Sequence, residues 1–337
     1  MVDSKCRARH RVLCLSALFA SVALSHAADQ PPATSGPFPS KPVRVIVGNA
    51  PGGGTDAVAR LVSQQLSQRW PHPVIVDNRG GGVGVIAMDL TARATPDGHT
   101  VLLSNIQMTI NMLLKRVPYD IRKVYVPVVE LTSQPYVAAV NPSLPVKSIK
   151  EFIAFARTRP GAVNFGSPGS GSPAHIGIEL FSDMAGLDMT HVAYKGNGPA
   201  MIDLMSGQIQ MLFGTIVSVA PQARAGKIKA LAVTSLKRNS ALPDLPTIAE
   251  SGIPGYELSN QYGFYAPAGT RAAAVDAINR ACNEIIASPE FRANLAAGGV
   301  DAAEPNTPAQ YKAAIAGEVA RLGKFFSKPG LSLDRFK

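Results

Sequence analysis

The chain has 337 residues, enough for two α/β units that each bury a core of their own. An apolar fraction of 46% without long polar tracts excludes an intrinsically disordered chain. A formal charge of +10 suits anionic partners in general, but the basic residues are scattered and aromatics make up only 6%, which argues against nucleic acid.

Residues 1–27 have the pattern of a secretory signal peptide. Lys5, Arg7, Arg9 and Arg11 precede an apolar run from Val12 to Leu24, too short to span a bilayer. Ser25-His26-Ala27 places small residues where a signal peptidase reads, so cleavage is expected after Ala27. The segment takes four basic residues and one acid with it and leaves +7. Cys6 and Cys14 leave too, so only Cys282 remains; it cannot form an internal disulfide and is expected in the core. No later stretch is long and apolar enough to cross a membrane, so an exported, soluble chain is expected. Residues 28–41, rich in Pro, Ser and Gly, read as a flexible leader.

From Val43 the pattern alternates strand and helix. Val43, Val45, Ile46 and Val47 suit a buried strand. A turn through Asn49, Ala50, Pro51, Gly52, Gly53 and Gly54 follows, and Thr55 or Asp56 caps a helix with the apolar face Val58, Leu61, Val62 and Leu66. A strand at 74–77, a helix near 85–94 and a strand at 101–103 complete a first parallel unit. An extended run over 128–140 leads to a helix opened by Ser148. Next come a strand at 163–165, the loop Gly166 to Ser172, and a helix with Ser172 as cap and Pro173 at its first position. Strands at 191–194, 210–213 and 230–233, with a helix over about 199–206, form a second α/β unit. A strand at 263–266 and two C-terminal helices follow, the last opened by a Thr307/Gln310 capping box.

Several chemistries fail on spacing. The Gly52–Asp56 turn lacks the Lys-Ser/Thr of a P-loop. Gly82 to Ala87 fits a dinucleotide fingerprint, but Ser104, Asn105 and Ile106 follow the next strand where a ribose-binding acid belongs. Ser167 and Ser170 lack the flanking glycines of a nucleophile elbow. His72, His99, His175 and His191 share no metal-ligand spacing, so neither metal nor cofactor is expected. His72 and His99 read as surface residues. His175 suits either a place facing a cleft or a satisfied surface position. Three strand–turn–helix starts remain, each suited to an anion because it offers backbone N–H groups and the positive end of a dipole. They are the turn at 50–56, the loop with Ser167, Gly169, Ser170, Gly171 and Ser172, and the turn with Lys195 and Asn197.

Nine stretches in order resemble the solute-binding proteins of the tripartite tricarboxylate transporter system, the Bug (Bordetella uptake gene) family. They are residues 50–56, 77–79, 96–103, 141–145, 166–172 with His175, 194–200, 225–235, 242–247 and 266–270. The resemblance implies a periplasmic binding protein type II-like α/β fold, with two lobes, a hinge and a ligand cleft between them. Lobe 1 would cover 42–130 and return over 253–337, and lobe 2 would cover 131–252. It also implies that the turn at 50–56 and the loop at 166–172 grip a small carboxylate, partly through bridging water. The chain departs from the family pattern at Gly48-Asn49, at Gly80, at Gly214-Thr215 and at Gln261. Asn49, Thr215 and Gln261 are therefore candidates for a more polar distal wall.

The expected function is a non-catalytic, monomeric receptor that hands its carboxylate to two membrane subunits of a transporter. A ligand-presenting sensor component shares the same pocket. An esterase or NAD-dependent enzyme is disfavoured by the failed patterns above.

Overall fold

The computed structural model describes residues 38–336 apart from 50, 52, 53, 298 and 330. The expected signal peptide, most of the leader, and Ala50, Gly52 and Gly53 lie outside the described residues.

The first elements are β1 (Val43–Val47), α1 (Gly54–Arg69), β2 (Val74–Asn78), α2 (Val85–Ala92), β3 (Thr100–Ser104), α3 (Gln107–Leu113), α4 (Ile121–Val124) and β4 (Tyr125–Val140). Next are α5 (Ile149–Arg157), β5 (Asn164–Ser167), α6 (Pro173–Ala185), β6 (Thr190–Ala193), α7 (Asn197–Ser206), β7 (Met211–Thr215), α8 (Ile216–Arg224) and β8 (Lys229–Val233). The chain closes with β9 (Ser259–Pro267), α9 (Ala272–Ala287), α10 (Pro289–Ala297), β10 (Asp301–Ala302) and α11 (Pro308–Phe326). The strands run in the order β2-β1-β3-β9-β4-β7-β5-β6, and β8 and β10 pair with β4 as well.

β1 pairs in parallel with β2 and β3, and β5 pairs in parallel with β6 and β7. These are the two parallel units that the strand–helix alternation predicts. They are joined by antiparallel strands. β9 pairs with β3 and with β4 from Tyr125 to Pro135, whereas β4 from Tyr136 onward pairs with β7 and β8. One long strand thus belongs to both halves. Thr234 clasps the second passage: Tyr136 N–H donates to its hydroxyl, which donates to Leu258 C=O.

Side-chain alternation explains the layers. Val43, Val45 and Val47 face a core with Val58, Val62, Leu66, Phe264 and Ile285, while Ile46 faces Met88, Leu102, Tyr265 and Tyr311 on the other side. In the second half Met211 and Phe213 join Phe152, Phe165 and Phe181, and Leu212 joins Leu204 and Val219. Each such aliphatic or aromatic side chain stabilises the fold by about 1.5–3 kcal/mol when fully buried. α11 bridges the halves: Tyr311, Ile315 and Val319 pack in the first, Leu322, Phe325 and Phe326 in the second. Cys282 is fully buried on α9, as expected. Among the described residues no helix is long and apolar enough to cross a membrane.

Three local expectations differ. Residues 38–41 are not a free leader: the Phe38 ring packs on Trp70 and His99, and Pro39 is buried. The same packing corrects the reading of His99 as a surface residue, since it is 5% exposed and its Nε2 accepts from Ser40 N–H at 3.1 Å. α3, α4, α8 and α10 are additional helices, short and weakly patterned, so three helices rather than two follow β9 among the described residues, and α8 holds Pro221 inside it.

Candidate functional site

Glycine turns and helix caps at the ends of the parallel strands converge on one cavity of about 280 Å³. This is where open α/β sheets place ligands, because helix starts rather than helix ends point there. Five helices of two turns or more begin at its wall: α1 at Gly54, α2 at Gly84, α6 at Ser172, α7 at Asn197 and α8 at Thr215. Ser172 caps α6 by accepting the His175 N–H at 3.3 Å, and Pro173 leaves no donor to satisfy at the first position. Gly84 sits at φ 87°, which lets the chain turn into α2 without a Cβ penalty.

The wall carries no carboxylate, ammonium, guanidinium or imidazole among the described residues. Its polar groups are carboxamides and hydroxyls, with Tyr136 and Tyr262 as phenols. Burial raises both phenols, so they stay neutral; the bonds from Thr55, Asn105 and Asn260 offset part of that rise at Tyr262. A ligand anion meets fixed backbone dipoles that require no desolvation of an opposing charge.

Asn49, Gly54, Thr55, Ser172, Asn197 and Thr215 line the cavity. The other expected residues that are described lie elsewhere. Pro51 is exposed, and Lys195 is exposed on the turn before α7. Asp56 is 3% exposed behind the start of α1, accepting from Arg60 Nε at 2.8 Å and Asn78 Nδ2 at 3.0 Å. Its hydrogen bond to Arg60 raises the guanidinium further above its usual range. Ser167 is 1% exposed, its hydroxyl 2.7 Å from His191 Nε2. Ser170 is half-buried outside the cavity wall, while Gly169 and Gly171 shape the loop through φ values of 147° and 66°.

His175 is fully buried, stacked on His191 with ring centroids 3.6 Å apart. Its Nδ1 accepts Gly171 N–H at 3.0 Å, so it supports the loop from behind rather than facing the cavity. Burial, then the neighbouring His175, lowers His191 to about 4. Gln261 lies on the opposite face of β9 from the wall; its neighbours Asn260 and Tyr262 are the ones that line it.

Sequence reasoning missed Asn105, Gln107, Asn111, Asn260 and Tyr262. Two signals were present. Ser104 ends β3, the strand beside β1 at the switch of strand direction, and Asn105 follows it directly. Gln107 and Asn111 stand four apart, a polar pair among Ile106, Met108, Ile110 and Leu114.

The tripartite tricarboxylate transporter family receptor matches the chain over residues 58–331. Protein BugT of Bordetella pertussis is 34% identical over 305 residues, which cover 90% of this chain and 93% of BugT. Among solved structures, Rpa4515 of R. palustris with adipate is similar at 33% identity and a TM-score of 0.73, over 85% of this chain and 96% of that one. MatC of Rhodopseudomonas palustris, with bound malate, matches at 29% identity and a TM-score of 0.72, over 86% of this chain and 100% of that one. The chain shares the two-lobed fold of these periplasmic binding proteins, and residues of both halves, Thr55 and Asn105 in one and Ser172 and Thr215 in the other, line the cavity. On these matches the chain belongs to the receptor family of the tripartite tricarboxylate transporters, among its Bug relatives.

Proposed function

We propose that this chain captures a small carboxylate in the cavity and delivers it to the two membrane subunits of a tripartite tricarboxylate transporter. The observation that carries the reading is the meeting of five helix starts at a wall without ionised side chains. An anion is the ligand that such a wall favours, and a carboxylate fits both its size and the ligands in the names of Rpa4515 and MatC. Closure of the lobes then needs only a ligand with higher affinity for the closed state.

The proposal extends to the chain's organisation. Residues 1–27 act as a signal peptide, and the receptor works as a monomer in the periplasm. Residues 42–130 and 253–337 form lobe 1, residues 131–252 form lobe 2, and β4 and Thr234 lie at the hinge between them. The chain is not an enzyme: Ser167 and His191, which meet as a serine–histidine pair, lie outside the cavity wall, and Ser167 is almost fully buried.

The test is a thermal-shift screen of the purified chain against small carboxylates and their carboxamides. A carboxylate at about 100 times its Kd adds about 2.7 kcal/mol of stability. The reading expects a shift of a few degrees for carboxylates that the matching carboxamides do not give. Equal shifts from the carboxamides, or no shift across the panel, contradict it.

A further inference from the structure

The cavity wall has a polarity that the helix starts do not explain. Amide side chains ordinarily leave oxygen and nitrogen interchangeable, but a chain of partners with only one polarity fixes two of them here. Arg116 lies outside the cavity, just beyond α3. Its guanidinium donates Nη2 to Phe336 C=O at 2.7 Å and Nη1 to Asn111 Oδ1 at 3.3 Å. Asn111, 1% exposed, spends its Nδ2 on Val83 C=O at 2.8 Å. A guanidinium only donates and a backbone carbonyl only accepts, so the Asn111 oxygen faces both Arg116 and Gln107. Gln107 therefore donates, through Nε2, to Asn111 Oδ1 at 3.1 Å and to Gly171 C=O across the cleft at 3.4 Å. What remains of the Gln107 amide is Oε1, an acceptor without a partner among the described residues, on a residue that lines the cavity.

A carboxylate oxygen set against that acceptor would bring two lone-pair bearers together, so the ligand's charge belongs at the helix starts and something else belongs at Gln107. We infer that the ligand carries, besides its carboxylate, a hydrogen-bond donor (a hydroxyl, an ammonium or an amide N–H) that Gln107 Oε1 receives. Gln107 is then the specificity-determining residue of the cleft. Arg116 is a positioning residue: it never touches the ligand, and it holds the Asn111 and Gln107 amides in the orientation that leaves the acceptor exposed. The inference rests on the carboxylate reading above and narrows it to hydroxy-, amino- or amido-substituted carboxylates.

Calorimetric titration of the full chain with matched pairs tests it: malate and aspartate against succinate, lactate against propionate, 2-hydroxyglutarate against glutarate. The acceptor left unpaired by the plain member weakens it about tenfold or more relative to its substituted partner, in each pair that binds. Gln107→Met, close in length but without an acceptor, brings the ratio within a pair to near one. Gln107→Leu serves the same purpose should the Met variant fail to fold. Arg116→Met lowers the ratio as well, because the amides are then free to turn over; a purely structural role for Arg116 would weaken both members of a pair equally and leave the ratio alone. Plain and substituted carboxylates binding equally to the unaltered chain overturn the inference and leave the carboxylate reading in place. Silence across every pair overturns both.

Discussion

Glu318 shows what a single buried carboxyl does to this chain. It is 5% exposed on α11, with Oε1 unpartnered, and burial raises it to about 7 from 4.5 despite a hydrogen bond from Thr109. Glu130 on β4 is raised to about 7 too, by burial first and then by Glu318 and Glu257. A carboxyl raised in the folded state binds more protons there than in the unfolded chain, so its contribution to stability falls as pH rises from about 4.5 towards 7. His191 has the opposite sign: lowered from 6.5 to about 4, it loses stability as pH falls through that window. Glu318→Gln removes the ionisation cost of one acid. The variant's stability relative to the unaltered chain is expected to increase between pH 5 and pH 8, by about 1–3 kcal/mol. Denaturant unfolding at the two pH values measures it, and a difference that does not change with pH contradicts the account.

Thr55, Ser172 and Asn197 were legible as wall positions because they follow a glycine turn or cap a helix, whereas Asn49 and Thr215 were marked only by departures from the family pattern. Gln261 shows the limit. A departure from a family pattern marks a position but not a face, and on a strand a one-residue step reverses the face, so Asn260 and Tyr262 hold the wall instead. His99, read as a surface residue, and His175, read as facing either a cleft or the surface, were misplaced for a different reason. Their burial comes from Phe38, His191 and Phe336, partners far away in sequence.

At the scale of elements, the loop before α6 is shaped as much by the C-terminal residues as by its own glycines. Phe336 is fully buried against His175, Phe325 and Phe326, and Arg335 pairs with Glu179 on α6 at 2.5 Å. Gly171 lies beneath the Phe336 carbonyl, so a Cβ there collides with that oxygen and with Arg116. Gly186, which closes α6, has nearly the same φ, 63° against 66°, but open space around it. Gly186→Ala pays only the left-handed backbone, about 1–2 kcal/mol. Gly171→Ala is expected to lose that and roughly 1–3 kcal/mol more for the overpacked contact. Equal losses in the two variants would show that the C-terminal residues do not bear on the loop.

Elements with both a cap and a periodic face were readable from sequence: Ser148 opens α5, Ser172 opens α6, and Thr307 with Gln310 opens α11. α3 and α8 carry neither signal. α3 starts at Ile106 without a side-chain cap, and α8 contains Pro221, so tertiary packing rather than local preference makes them helical. β9 begins at Ser259, earlier than its apolar run, because Asn260 and Gln261 are held by pairing with β4.

For the whole molecule, one long strand and one long helix tie two parallel units into a receptor. β4 pairs on both sides of Pro135–Tyr136, and α11 packs into both lobes. That arrangement places the carboxyl ends of both parallel units, and the helices that start there, around a single space. The parallel units were visible in the alternation of strands and helices. The way they share β4 was not, because long-range antiparallel pairing leaves no short-range signature in the chain. The measurement that bears most directly on the account is a crystal structure of the chain with a carboxylate that stabilises it. The account places the carboxylate oxygens within hydrogen-bond reach of backbone N–H groups at the starts of helices such as α1 and α6, inside the cavity. A carboxylate held by a lysine or arginine side chain, or bound outside the cleft, would contradict it.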